Sequence, residues 1–176
     1  HDLCRRQRQM CIRDRGEPLI VAEGYMDVIA LDSGNFNGAI APLGTAITEK
    51  QLQLMWRISP EPIIALDGDK AGLRAAYRLI DLSLPLLRTG KALRFSIMPE
   101  GKDPDDLIRN EGASVFKNLI DEAVPMVDLI WRRETEGRSF DSPERRAGLD
   151  KSLADAIALI KEKNLKNHYR DALFQA

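Results

Sequence analysis

Histidine is almost missing from this chain: only His1 and His168 occur, both far in sequence from every cluster of acids, so no histidine general base is on offer. Cysteine is as scarce. Cys4 and Cys11 have no paired cysteines or histidines further on, and their spacing fits neither a structural zinc signature nor a disulfide framework. No apolar run approaches the roughly 20 residues of a membrane-spanning helix. No signal-peptide pattern opens the chain, so a cytosolic protein is the expectation. A strong charge of one sign is lacking too: the net charge is −1, made of +3 in residues 1–16 (five arginines against Asp2 and Asp14) and −4 in the rest. A mildly acidic body is not built to hold a nucleic-acid duplex unaided, because that affinity comes mostly from phosphate neutralisation. It suits a site that handles phosphates through bound cations.

What the sequence does have is acids placed directly after buried-strand candidates. Leu19 to Ala22 is a short apolar run that stops on Glu23, followed at once by Gly24. Met26, Ile29 and Ala30 then recur at helical spacing, which puts Glu23 at the carboxyl end of a strand in a strand-turn-helix unit. Pro62 to Leu66 runs into Asp67-Gly68-Asp69, and Leu93 to Met98 leads through Pro99-Glu100-Gly101-Lys102 to Asp103-Pro104-Asp105-Asp106. If the strands are parallel neighbours, Glu23, Asp67, Asp69, Asp103 and Asp105 converge on one edge. So many carboxylates cannot sit unpaired that close together.

Between these strands the signals are helical. Tyr25 to about Asp32 is closed by Ser33-Gly34, and Gly38 to Ala41 is a further short strand. Thr48 and Gln51 have the form of a capping box for a helix that ends at Ser59-Pro60. The apolar spacing from Lys70 predicts a helix as far as Thr89-Gly90. The order strand, helix, strand, helix, strand, helix, strand implies an open, mostly parallel four-stranded α/β sheet flanked by helices. Beyond Asp103 everything reads as helix, including a segment from Ser142-Pro143 to about Lys161 and a last one from Asn167 to Phe174. The domains expected are a foreign or disordered tail at 1–16, a catalytic unit at 17–106 and a truncated helical subdomain at 107–176.

Hard divalent cations take oxygen ligands, and Mg²⁺ is held by one or two carboxylates together with substrate phosphates. Asp67 and Asp69, two apart, point the same way in an extended segment, and Gly68 lets that backbone approach a ligand closely. Each acid also has a plainer role. Asp103 before Pro104 is the best helix-start signal in the chain, Asp-Gly-Asp could be only a turn, and Asp27 suits a partner for its own helix N-terminus. Lys70, Arg74 and Lys102 flank the acids and could contact phosphates or template, or merely be solvated. Trp56 and Trp131 fit core positions.

The segments Glu23-Gly24-Tyr25-Met26-Asp27, Leu43-Gly44-Thr45, Asp67-Gly68-Asp69-Lys70-Ala71-Gly72 and Gly101-Lys102-Asp103-Pro104-Asp105 resemble the Toprim domain of bacterial DnaG-type primases. The likeness covers about residues 17 to 106, and the helices beyond look like the helical end of that family's RNA polymerase core. A glutamate with an aspartate-x-aspartate pair is also similar to topoisomerases, recombination mediators and nucleases; the EGYMD and GKDPD forms are more specific to primase. The resemblance implies catalytic Glu23, Asp67 and Asp69 that coordinate Mg²⁺ or Mn²⁺, with Asp103 and Asp105 assisting. The reaction implied is nucleotidyl transfer from NTPs, making a short RNA primer on single-stranded DNA for replication in the bacterial cytoplasm. It also implies a zinc-ribbon domain, a basic lobe and a helicase-binding domain, none of them in this chain, so the isolated chain is expected to be a monomer without primer synthesis of its own. The alternatives are a Toprim nuclease or topoisomerase, for which Tyr25, Tyr77 and Tyr169 offer no clear nucleophile, and a non-catalytic phosphate-binding module.

Overall fold

The structure, a computed structural model, describes residues 16–42 and 46–175; the arginine-rich head, both cysteines and Leu43-Gly44-Thr45 lie outside the described residues. The first half alternates strand and helix: β1 (Ile20–Val21), α1 (Tyr25–Ser33), β2 (Ala39–Ile40), α2 (Glu49–Ile58), β3 (Ile63–Leu66), α3 (Lys70–Ser83) and β4 (Arg94–Ile97). The second half comprises α4 (Pro104–Asn110), α5 (Ala113–Asp121), β5 (Val124–Pro125), α6 (Met126–Thr135), α7 (Pro143–Ala158) and α8 (Lys163–Phe174).

The sheet has five strands, not four, in the order β2-β1-β3-β4-β5. The pairings among the first four are parallel, and β5 joins antiparallel with Arg94 opposite Pro125 and Phe95 opposite Val124. Two residues are too few to show strand alternation, and a proline is tolerated on an edge, so β5 was hidden in a stretch that reads as helix. It also carries the sheet past residue 106. A second departure concerns α3, which stops at Ser83 and continues only as a 3-10 turn over Leu84–Leu86. Pro85, without an N–H and with its ring in the way, ends the regular helix although the apolar spacing persists.

Local chemistry sets most of the other boundaries. Thr48 and Gln51 form the expected capping box: the Gln51 N–H donates to Thr48 Oγ1 at 3.3 Å and the Thr48 N–H to Gln51 Oε1 at 2.8 Å. Ser142 caps α7, with Pro143 as its first helical residue. Trp56 is buried and its indole N–H donates to the Ala92 carbonyl at 2.8 Å, whereas Trp131 is half-buried at the edge of the same core. Among the described residues no helix is long and apolar enough to cross a membrane.

Strand alternation divides the core in two. Leu19, Val21, Ile64, Leu66 and Phe95 pack with Leu52 and Trp56 of α2, Ile80 of α3, and Leu129 and Ile157 of α6 and α7. On the other face Ile20, Ala22, Ile63 and Ala65 meet Leu31 of α1, Leu107 of α4, and Phe116 and Ile120 of α5. Burial of each such side chain contributes about 1.5–3 kcal/mol. Because α1 covers one face and α2 the other, and β1 has β2 on one side and β3 on its other, the topology reverses between β1 and β3. A crevice opens at the carboxyl ends of those two strands, the position at which open α/β sheets hold ligands.

α1 is the helix the spacing predicts, but it presents a different face. It buries Asp27, Ala30 and Leu31, while Met26 and Ile29 are 45% and 58% exposed. Asp27 is drawn inward by hydrogen bonds that a hydropathy pattern does not register.

Candidate active site

Glu23 follows β1 and Asp67 follows β3, so the reversal point itself carries two carboxylates. The Asp67 N–H donates to Glu23 Oε1 at 3.4 Å, which turns the residue-23 side chain onto the Asp67 loop. Asp67 Oδ1 is buried and has no hydrogen-bond partner. Burial, and then the charges of Glu23, Asp27, Asp103 and Asp69, push the Asp67 carboxyl up to about 7. Four of its neighbours are acids, and each repels the ionised form.

The remaining acids lie around that centre in secondary roles. Asp69 Oδ1 accepts the N–H groups of Ala71 and Gly72, both at 2.7 Å, and so caps α3. Asp103 Oδ1 accepts the Asp106 N–H at 2.7 Å and caps α4, with Pro104 at its first position. Arg109 Nε stands 2.8 Å from Asp105 Oδ1 as an ion pair but out of hydrogen-bond alignment, which leaves that buried oxygen without a hydrogen bond. Among the described residues no three acidic, histidine or cysteine side chains are grouped as a ready-made metal cage.

Asp27 is the N-terminal partner of α1: its Oδ2 accepts the Gly24 N–H at 2.9 Å. Burial raises its pKa; the Gly24 and Asp105 N–H groups work against that, while Asp103 and Asp105 add to it. It therefore ties α1 to the start of α4.

Gly68 brings two loops together. A Cβ there would lie 1.9 Å from the Pro99 carbonyl oxygen, so the loop after β3 presses on the backbone of the loop after β4. The Gly68 N–H donates to the Lys102 carbonyl and the Gly101 N–H to the Gly68 carbonyl, both at 2.9 Å. Gly72 closes the Asp67–Gly72 motif, which gave it no role: a Cβ there would fall 2.4 Å from the Asp67 carbonyl oxygen, so its bareness lets α3 seat against the acid's own backbone. Its signal was a glycine three residues into a helix, where alanine is otherwise favoured. Lys102 is tied by its ammonium to Glu111, while Lys70 and Arg74 are exposed at the start of α3. A cavity of about 470 Å³ adjoins Glu23 on the α3 side, walled by Val21, Leu66 and Leu79, with Arg78 as its basic group.

This donor set suits a hard divalent cation. All the groups are carboxylate oxygens, and one of them is buried, unpartnered and destabilised by the charges around it. A cation beside Asp67 would remove that penalty.

Residues 17–95 match the Toprim domain family. The chain is 44% identical over 150 residues to the DNA primase of Rickettsia felis, which covers 85% of this chain and 25% of that protein. Among solved structures, a DNA primase domain from Pseudomonas aeruginosa aligns with a TM-score of 0.83 and 36% identity over 90% of this chain and 50% of that one. A DnaG primase catalytic domain bound to single-stranded DNA aligns with a TM-score of 0.83 and 34% identity over 91% of this chain and 52% of that one. The chain thus spans about a quarter of the curated relative's length and about half of each solved chain. It belongs, through its Toprim part and the helices that follow it, to the DnaG-type DNA primase family.

Proposed function

We propose that this chain is the cation-binding part of a DNA primase, acting in template-directed synthesis of short RNA primers from NTPs on single-stranded DNA in the bacterial replisome. The observation that carries the reading is the meeting of Glu23 and Asp67 at the reversal point of the sheet, with a buried Asp67 oxygen that no protein group satisfies. Glu23 and Asp67 hold the ion, Mg²⁺ or Mn²⁺, and Asp69, Asp103 and Asp105 complete its surroundings. A divalent cation bound there supplies charge neutralisation for the oxygens of the reacting phosphates.

The chain's own residues do the positioning. Asp69 and Asp103 fix the starts of α3 and α4 through their caps, and Gly68 fixes the distance between the two acid-bearing loops. Lys70 and Arg74, exposed at the head of α3, are placed to meet phosphate or template, whereas Lys102 is engaged by Glu111. Residues 17–106 carry the catalytic groups and 107–176 support them. Zinc belongs to no site in this reading, and the helicase contact would be made by other parts of the full-length protein. The test is a chimera in which this chain replaces its counterpart in the Escherichia coli primase, 36% identical over 92% of the chain. The chimera is expected to make RNA primers, and Glu23→Gln or Asp67→Asn to reduce that by a hundredfold or more, about 2.7 kcal/mol of barrier. A folded chimera whose primer yield survives both substitutions would refute the proposal.

A further inference from the structure

We infer that Tyr25 is a stacking platform for a nucleobase held beside the carboxylates, an inference that rests on the cation-site reading above. Tyr25 opens α1 and is 72% exposed, although that helix is fully anchored without it through Asp27, Ala30 and Leu31. Its ring is therefore free of any packing duty. Ile29, one turn on along the same face, is also exposed and extends the apolar strip.

Position aims this surface at the site. Tyr25 is the first residue of α1, and helical side chains lean toward the helix N-terminus, which is the end that carries Gly24 and Glu23. Two residues of chain keep the Tyr25 and Glu23 Cα atoms within about 7 Å. Gly24 between them contributes no side chain that could stand in the way. A nucleotide whose phosphates lie at the Glu23–Asp67 ion thus has a flat apolar face within reach of its base.

Charge balance favours the same occupant. Outside residues 1–16 the chain is net acidic, so long-range phosphate attraction adds little to what the ion, Lys70 and Arg74 supply locally. Stacking on an aromatic face contributes affinity without charge and tolerates any base. The base could belong to a free nucleoside triphosphate or to a strand, and the two are separable by experiment.

The test uses the whole chain and titrates Mn²⁺ alone, ATP with Mn²⁺, and a short deoxythymidine oligonucleotide with Mn²⁺. Wild type is compared with Tyr25→Phe, Tyr25→Leu and Tyr25→Ala, each checked for wild-type unfolding in urea. Tyr25→Ala and Tyr25→Leu should weaken ATP, the oligonucleotide or both on the order of ten- to a hundredfold, and Tyr25→Phe by less than about twofold. Loss confined to ATP places the incoming nucleotide on the ring, and loss confined to the oligonucleotide places a strand there. The inference is overturned if wild type binds neither ligand, if Tyr25→Ala binds both as wild type does, or if Tyr25→Leu is as good as tyrosine. Mn²⁺ alone keeps the two readings apart: binding lost in Asp67→Asn but intact in the Tyr25 variants upholds the cation site whatever the ring does, and binding unaffected by Asp67→Asn removes the cation site itself.

Discussion

Ionising Asp67 without a cation adds a negative charge to a partly buried spot already ringed by Glu23, Asp27, Asp103 and Asp69, and the consequence is a stability that depends on pH in an unusual direction. Folded, this carboxyl keeps its proton up to about 7; unfolded, it releases it near the ordinary aspartate value of about 4. Between those values the folded chain binds more protons than the unfolded one, so stability falls as pH rises through the window. The melting temperature in EDTA should therefore drop between pH 5 and 8, and Asp67→Asn should flatten that drop. Because the cation competes with the proton, Mn²⁺ affinity should rise over the same range. At this scale the sequence was informative: an acid directly after a buried strand pointed to Glu23 and Asp67, the two residues that the structure brings together. It was silent on the neighbour of Gly68, because the Pro99 carbonyl that fills the space beside it comes from 31 residues further along the chain.

At the scale of elements, the two acids that start α3 and α4 serve the backbone first, and substitution can separate cap from ligand. Asparagine caps as well as aspartate does but carries no charge. Asp69→Ala should cost about 1 kcal/mol in urea unfolding, and Asp69→Asn only a few tenths. If Asp69 also belongs to the ion's surroundings, both variants weaken Mn²⁺ binding equally; wild-type Mn²⁺ binding by Asp69→Asn would leave it a cap alone. Caps were legible because they use particular residues at fixed offsets, as Thr48 with Gln51 and Ser142 with Pro143 illustrate. β5 was not, because a two-residue edge strand is defined by the partner it pairs with rather than by its own pattern. The exposed face of α1 was misread for a similar reason: Asp27 goes inward for its hydrogen bonds and leaves Met26 and Ile29 in solvent.

For the molecule as a whole, the helices beyond residue 106 are structural partners of the sheet. Leu107, Phe116 and Ile120 are buried against Ile20, Ala22 and Ile63, and Leu129, Ile130 and Ile157 against the opposite face. A chain cut after residue 106 would lose those contacts, each worth about 1.5–3 kcal/mol, a sum comparable with the entire 5–15 kcal/mol stability of an ordinary domain. Residues 17–106 alone should accordingly show no cooperative urea transition by circular dichroism, whereas the chain through residue 175 should show one. The alternation of strand and helix conveyed the sheet and its crevice, but not how much of its cover is supplied from further on.

The lacing of Gly68 to Gly101 and Lys102 has one more effect. Asp67, Asp69 and Asp103 ride on a single stiff plate, so the backbone of none of them can shift toward an arriving ion without carrying the others. Glu23 reaches that plate from a different strand through a flexible stem of two methylenes, and the larger part of the adjustment needed to grip a cation falls to the swing of that one arm.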